Sequence, residues 1–330
     1  MRIGEDPQGR VSPPILSFCK SCSPPPTMTT DSNVLIIGTG ALASLFAARL
    51  AATGCAVTLL GSWPDGLAAL QSHGVRLLDA DGAVKTYPVH ATDDPAECRG
   101  ISRALVLVKA WQTARAAELL SACLPSDGLA LTLQNGWGNR EILETALGPA
   151  RVALGVTTLG ATLVEPGYVR LGGQGPITLG VHPRLQPLSD LLALAGFDVR
   201  TADDVAGLAW GKLVINAAIN PLTALLRVPN GELLARPPAR DLMALAAREA
   251  AQVGNAQGIH LPQAIAVDPV AAAEDVARRT AANHSSMYQD VQHGRPTEID
   301  AICGAVVQAG ERLNVPTPVN RTLWLLVKAM

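Results

Sequence analysis

Neither sign of charge dominates this 330-residue chain: 26 Lys and Arg stand against 28 Asp and Glu, a formal net charge of −2. That balance leaves no electrostatic footprint for nucleic acid or for an anionic membrane surface, and no such partner is expected. Charged residues are scarce, at 16% against 48% hydrophobic, which excludes a disordered chain or a coiled coil. Long apolar runs are missing as well. Residues 34–57 come nearest to a membrane span, but Gly38, Gly40, Arg49 and the Thr53–Gly54 break interrupt them. A strand, a tight turn and a buried helix account for that stretch. The six cysteines (19, 22, 55, 98, 123 and 303) form no disulfide framework for a chain this long. Four stand alone in apolar surroundings, as reduced buried thiols do, and a cytoplasmic protein is expected. Cys19 and Cys22 make one CxxC pair, without the second pair that a structural zinc site needs. The six histidines are scattered and no HExxH or GxSxG string occurs, so no residues point to a metal site or to nucleophilic catalysis.

What is present divides into three parts. Residues 1–32 hold six of the 24 prolines and no apolar periodicity, and read as a disordered extension. They lack the apolar core of a secretory signal, and Met28, just before the ordered pattern, is a candidate start. Residues 33–203 alternate strand and helix. Apolar runs at 34–37, 56–60, 104–108 and 129–133 are separated by helical patterns at 41–52, 66–73 and 113–122. Continuous apolar strands joined by helices define a doubly wound α/β sheet of the Rossmann type. Residues 151–180 turn glycine-rich and read as a hairpin-like extension that closes the sheet. Residues 204–330 carry helical patterns only, at 206–226, 240–257, 269–291, 297–314 and 321–328, and form an all-helical C-terminal domain. A cleft is expected between the two domains.

The first chemical signal is Gly38-Thr39-Gly40-Ala41-Leu42-Ala43, directly after a strand and opening a helix. Gly38 permits the tight turn, Gly40 lets backbone approach a pyrophosphate, and Ala43 keeps the helix close to the strand. Dinucleotide binding is the expectation. At the end of the second strand an acid would select NAD and an arginine NADP, but Leu60-Gly61-Ser62-Trp63-Pro64 offers neither. The missing acid tilts toward NADP, with Ser62 able to donate one hydrogen bond. Lys109 and Asn135 each follow an apolar strand, where open α/β sheets bind ligands.

The strongest local pattern lies further on. Lys212, Asn216 and Asn220 are spaced i, i+4, i+8 on one side of a helix that is apolar nearly all round. A buried lysine with two amides is costly unless partners satisfy it, so a row built to hold a ligand is expected. Pro221 should kink or end the helix just past this row. Asn283, Ser286 and the Thr297-Glu298-Ile299-Asp300 segment look like partners of the row. Thr297 reads as a helix N-cap with Asp300 three residues on, and Glu298 in the first turn, where the helix dipole favours its ionised form.

Taken together these residues resemble the ketopantoate reductase (2-dehydropantoate 2-reductase) family. The family's GxGAxG-type start, KAxQ, QNG, K-L-x-x-N-x-x-x-N-P-L-T-A, P-N-G-E, S-M-x-Q-D and T-E-I-D strings correspond, in order, to residues 38–43, 109–112, 134–136, 212–224, 229–232, 286–290 and 297–300. The resemblance implies NADP(H)-dependent reduction of 2-dehydropantoate to pantoate, on the way to pantothenate, by a monomer or homodimer. It implies Lys212 as the catalytic lysine and Glu298 as its acidic partner contacting substrate. Asn216, Asn220 and Ser286 become substrate contacts, with Asn230 and Asn283 beside them, and Asn135 and Lys109 lie by the nicotinamide, Asn135 near the substrate too. Gly38, Thr39, Gly40, Ala41, Leu42 and Ser62 complete the cofactor set. Three residues depart from the pattern: Ala43 for a third glycine, Ser62 where an arginine commonly holds the 2′-phosphate, and Cys303 for an asparagine.

Two other readings remain open on the residues: a reductase of another branched 2-keto acid, and a non-catalytic NADP-binding sensor. Presence of Lys212, Glu298 and Ser286 favours an enzyme. Hydride delivered to a ketone carbon leaves an alkoxide, which an ammonium both stabilises and protonates.

Overall fold

The computed structural model describes residues 33–79 and 81–330. The expectations for residues 1–32, namely the extension, the Met28 start and the Cys19/Cys22 pair, lie outside them. The N-terminal part runs β1 (Asn33–Ile37), α1 (Ala41–Ala52), β2 (Ala56–Leu60), α2 (Pro64–His73), β3 (Val75–Leu78), β4 (Val84–Tyr87) and β5 (His90–Thr92). It continues with β6 (Arg103–Val106), α3 (Thr113–Cys123), β7 (Leu129–Thr132), α4 (Asn139–Leu147), β8 (Val152–Thr157), β9 (Gly160–Glu165) and β10 (Tyr168–Gly173). It ends with β11 (Ile177–Gly180), α5 (Gln186–Leu194) and β12 (Val199–Ala202). The main sheet has eight strands in the order β12-β11-β8-β7-β6-β1-β2-β5. The six strands from β5 to β8 are all parallel, and only β11 runs against its neighbour β8. The order reverses between β1 and β6, and ligands of open α/β sheets bind beyond strand ends at such a switch point.

The central strands of the sheet are apolar because both faces are covered. Val34 and Ile36 of β1 pack on one face with Leu45, Phe46 and Leu50 of α1. Leu35 and Ile37 point to the other face, with Leu120 of α3 and Leu143 of α4. The expectation for residues 151–180 is corrected: β8 and β11 do join the main sheet, but the β9–β10 hairpin leaves it. That hairpin pairs with β3 and β4 in a separate four-stranded sheet, β4-β3-β10-β9, against α1. One face of the hairpin thus covers a helix that would otherwise expose its back.

The C-terminal region is helical: α6 (Val205–Leu226), α7 (Glu232–Ala235), α8 (Pro237–Ala256), α9 (Gln263–Val267), α10 (Pro269–Arg279), α11 (Ser286–Gln292), α12 (Cys303–Leu313) and α13 (Pro318–Lys328). Helix α6 is long and apolar enough to cross a membrane, yet 67% of its most apolar stretch is buried inside the protein. Leu213, Val214, Ala217 and Leu222 pack against Met243, Ala246 and Ala250 of α8 and Val306 of α12. The alanines of α8 let the two long helices approach closely.

Three helical expectations need correction. Pro221 does not end α6, which continues to Leu226. Proline removes the donor for the carbonyl four residues earlier, that of Ala217. The buried Cys303 thiol faces this carbonyl at 3.9 Å, so the departure at 303 supplies a weak donor where the helix lacks one. The 269–291 pattern breaks into α10 and α11, because Asn283 turns back on Thr280 and Ser285 caps α11 through Tyr288 N (3.1 Å). The 297–314 pattern opens as a short 3-10 turn over Ile299–Ala301, and Asp300 does not cap it. Its Oδ1 accepts from Trp324 Nε1 and Lys328 Nζ instead.

Trp210 is the anchor of the helical core. It is fully buried, its Nε1 donates to the Ala250 carbonyl (2.9 Å), and Trp137 meets it edge to face. Trp210→Ala should therefore cost about 3–5 kcal/mol, read as a lower urea midpoint. A midpoint equal to wild type would show that this core does not depend on the indole.

Candidate active site

Helix α6 carries Lys212, Asn216 and Asn220 on one continuous helix, and its entry is fixed by Asp204, whose carboxylate caps Gly207 N at 2.7 Å. The Lys212 ammonium donates to Asn135 Oδ1 at 2.6 Å and to the Thr157 carbonyl at 2.5 Å. Both acceptors come from C-terminal ends of sheet strands, β7 and β8. Asn135 Nδ2 donates in turn to Glu298 Oε2 (3.3 Å), and the other Glu298 oxygen accepts from the backbone N–H of Ala110 (3.0 Å). Lys109 Nζ lies 3.7 Å from Glu298 and 2.6 Å from Asp290 of α11. One polar chain thus runs Lys212–Asn135–Glu298–Lys109–Asp290, crossing from the sheet to the helices and back.

The carboxamide of Asn135 faces an ammonium with its oxygen and a carboxylate with its nitrogen. A neutral amide satisfies both at once, accepting with one terminal atom and donating with the other. Its orientation is held by the following turn: Asn139 Nδ2 donates to the Asn135 carbonyl (2.9 Å), and Gly136, at φ +85°, lies too close to the Ala301 carbonyl for any Cβ. Gln134 is likewise fixed, donating to the Val108 carbonyl and to Thr113.

Burial pulls the Lys212 ammonium down to about 8, against the opposing pull of the Glu298 charge. Burial alone would lower Lys109 too, but Glu298 and Asp290 outweigh it and raise Lys109 above its ordinary value. Burial pushes Asp290 up, against the pull of Lys109. The two lysines therefore differ: one is held charged by direct carboxylates, the other is poised to give up its proton. Beside Lys212 opens a cavity of about 220 Å³, lined by Asn135, Asn216, Trp137, Leu213 and Ile259 among others. This is far more than one water requires, so a ligand can reach the ammonium.

The remaining expected residues separate into two groups. Asn216 lines the cavity, and Asn220 is buried two turns of helix from Lys212. Ser286 and Asn283 are exposed at the start of α11 and in the turn before it. Buried Ser285, not Ser286, makes the structural bonds there, to Tyr288 N and Thr223 Oγ1. Asn230 is committed elsewhere: its backbone N–H donates to the Asn283 carbonyl and its Nδ2 to Thr280 Oγ1. It shapes the turn that presents Asn283, and is joined by no bond to the lysine chain. Asp290 and the Thr157 carbonyl were not singled out from sequence. An acid in the S-M-x-Q-D string signals a cation partner; a carbonyl leaves no residue-type signal.

At the other end of the cleft, Gly38 adopts φ +122° with Val108 at 3.1 Å from where a Cβ would sit, so the turn after β1 requires glycine. A Cβ at Gly40 would meet nothing within 4 Å, and α1 has no side-chain cap. Open space above uncapped first-turn N–H groups fits a pyrophosphate. Thr39 is buried, Ala41 and Leu42 are half-buried, and Ser62 is exposed at the end of β2.

Among the described residues, Lys109 is the one direct ion-pair partner of two nearly buried carboxylates, Asp290 and Glu298. Lys109→Ala should cost about 2–3 kcal/mol at pH 7.5, below the full value for a buried pair because water reaches a third of the lysine. Asp290, already raised by burial, takes up a proton as pH falls, so the loss should shrink toward pH 5. Urea denaturation at both pH values checks this, and an equal loss at each would contradict it.

Comparison with known proteins identifies the family. Residues 34–184 match the family model described as ketopantoate reductase PanE/ApbA, and residues 204–330 match its C-terminal model. The 2-dehydropantoate 2-reductase of Halobacterium salinarum is 34% identical over 302 residues, 90% of this chain and 98% of that protein. The crystal structure of a PanE/ApbA family ketopantoate reductase from Ralstonia eutropha superposes with a TM-score of 0.84 at 32% identity, covering 90% of this chain and 97% of that one. A ternary structure of D-mandelate dehydrogenase with NADH and anilino(oxo)acetate superposes at 0.82 with 27% identity, covering 90% and 97%. With both family models matched in order around one lysine-centred cleft, the chain belongs to the ketopantoate reductase family of oxidoreductases.

Proposed function

We propose that the protein reduces 2-dehydropantoate to pantoate, a step toward pantothenate, with NADP(H) as the nicotinamide cofactor that the family implies. The observation that carries this reading is the half-buried Lys212 beside a cavity, its ammonium held by Asn135 and Thr157 near the sheet's strand ends. The turn at Gly38 and Gly40 and the α1 N-terminus would hold the pyrophosphate, and Thr39, Ala41 and Leu42 line its approach. The bound cofactor supplies the hydride. Everything else falls to residues of this chain.

Lys212 is the proposed general acid. Reduction builds negative charge on the substrate's 2-oxygen, and an ammonium next to that oxygen stabilises the charge and then donates its proton. A pKa of about 8 leaves Lys212 mostly protonated at neutral pH, yet a better acid than an exposed lysine. Asn135 and the Thr157 carbonyl orient the ammonium, so little reorganisation accompanies proton transfer. Glu298, through Asn135, keeps the proton on Lys212 until substrate arrives. Asn216, Asn220, Ser286 and Asn283 are proposed to bind the substrate's carboxylate and hydroxyl without adding charge. The protein's own site charges already balance, two lysines against Asp290 and Glu298. The substrate anion thus leaves one negative charge in excess, which favours keeping Lys212 protonated.

A second reading, a reductase of another 2-keto acid, is favoured by the likeness to D-mandelate dehydrogenase, whose complex holds a 2-oxo acid analogue with an aromatic group. Steady-state kinetics on 2-dehydropantoate, 3-methyl-2-oxobutanoate and phenylglyoxylate separates the two: the preferred substrate has the highest kcat/KM.

Lys212→Ala should lower kcat by at least about 10²-fold, within the range for a general acid. Near-normal turnover would remove Lys212 from the mechanism. The reduction rate of the wild type should fall as pH rises through about 8, as the ammonium loses its proton. Glu298→Gln removes the charge that raises this lysine, so the alkaline limb should move to lower pH. An unmoved limb would show that Glu298 acts on substrate alone.

A further inference from the structure

The far end of the cofactor cleft differs from its pyrophosphate end. Strands β2 and β5 run parallel with Leu60 opposite Thr92, and Gly61 N donates to the Thr92 carbonyl at 3.1 Å. This bond fixes which residues leave the two strand ends side by side. From β2 come Gly61, exposed Ser62 and half-buried Trp63, and Asp65 stands exposed in the first turn of α2. From β5 come Asp93, one step beyond the last register pair and so beside Gly61, and then Asp94, both exposed. Asp94 is tied down, accepting from Ala96 N (2.8 Å) as the cap of the next turn. The strand ends where a dinucleotide's adenosine ribose is read therefore carry a hydroxyl and two carboxylates, with a third at the start of α2.

A ribose 2′-hydroxyl can donate to a carboxylate or to a serine, and meets no charge penalty there. A 2′-phosphate brings close to two negative charges and needs a cation, ideally a planar guanidinium. Ser62 gives it one hydrogen bond, while Asp65, Asp93 and Asp94 act against it. The loop cannot readily shift to bring in another group: Gly61 lies against Thr39, and Gly66 lies against the Trp63 ring. We infer that this protein's adenosine site does not select for a 2′-phosphate, and takes NADH as a hydride donor as readily as NADPH. The residue that sets this is Ser62, with Asp65 at the start of α2 and the β5 strand-end acids Asp93 and Asp94 as its surroundings. The inference rests on the reading of the Gly38–Gly40 turn as a dinucleotide site.

Calorimetric titration of the full-length protein, without substrate, with NADH, NADPH, AMP and 2′,5′-ADP separates the claim from the chemistry. The expected result is NADH binding within tenfold of NADPH or tighter, and AMP within tenfold of 2′,5′-ADP. Ser62→Arg should then shift both ratios toward the 2′-phosphorylated ligand by about 10- to 100-fold, the worth of one hydrogen bond to a charged group. Tighter binding of NADPH and 2′,5′-ADP by the wild type, by more than tenfold, would overturn the inference and leave the dinucleotide reading intact. Binding of none of the four would overturn both. The kcat/KM ratio for the two donors should follow the affinity ratio.

Discussion

A lysine ammonium removed from water has to be resolvated by the protein, and the site is organised around how that is done for Lys212. One side-chain amide and one backbone carbonyl supply the two short bonds, and neither is charged. Had a carboxylate made direct contact, the lysine would resemble Lys109, held above its ordinary value and reluctant to release a proton. Placing Asn135 between Lys212 and Glu298 weakens that pull without removing it, which leaves the ammonium near 8. The acid strength of the site is thus set first by burial, and then by a Glu298 charge held one carboxamide away.

This arrangement explains several costs elsewhere in the fold. Asn135 has to be held on both sides, which the close pass of Gly136 against Ala301 and the bond from Asn139 achieve. Lys212 has to be carried on a helix that is apolar enough to be buried yet open on one row, and α6 is long because it serves both roles. Its hydrophobic character reflects the helices stacked around it rather than a bilayer. The second lysine compensates the two acids that the arrangement buries, joining the helical region to the loop after β6.

The parallel sheet was legible in the sequence because buried parallel strands are continuous apolar runs, and the glycine turn because Gly38 must adopt a positive φ. The Lys212, Asn216 and Asn220 row was legible from helical spacing alone. Less visible were features set by distant contacts. The β9–β10 hairpin looks like any glycine-rich excursion until β3 and β4 pair beside it. Pro221 reads as a helix end, but tertiary packing carries α6 past it, and the cost at Ala217 is partly met by Cys303. The 269–291 pattern kept its apolar period across a real break, because Ser285 and Asn283 build a turn from residues common in helices' first turns. Asn230 matched a motif and yet spends its Nδ2 on that turn, while its buried Oδ1 has no partner among the described residues. Thr157 contributes only its carbonyl, which no side chain announces.

The central claim is that the protein holds Lys212 as a weakened ammonium, and NMR titration of lysine side chains tests it directly. With the Lys212 signal assigned by its loss in Lys212→Ala, the account predicts a midpoint near pH 8, well below that of Lys109. A midpoint above about 10, the range of an unperturbed lysine, would contradict it.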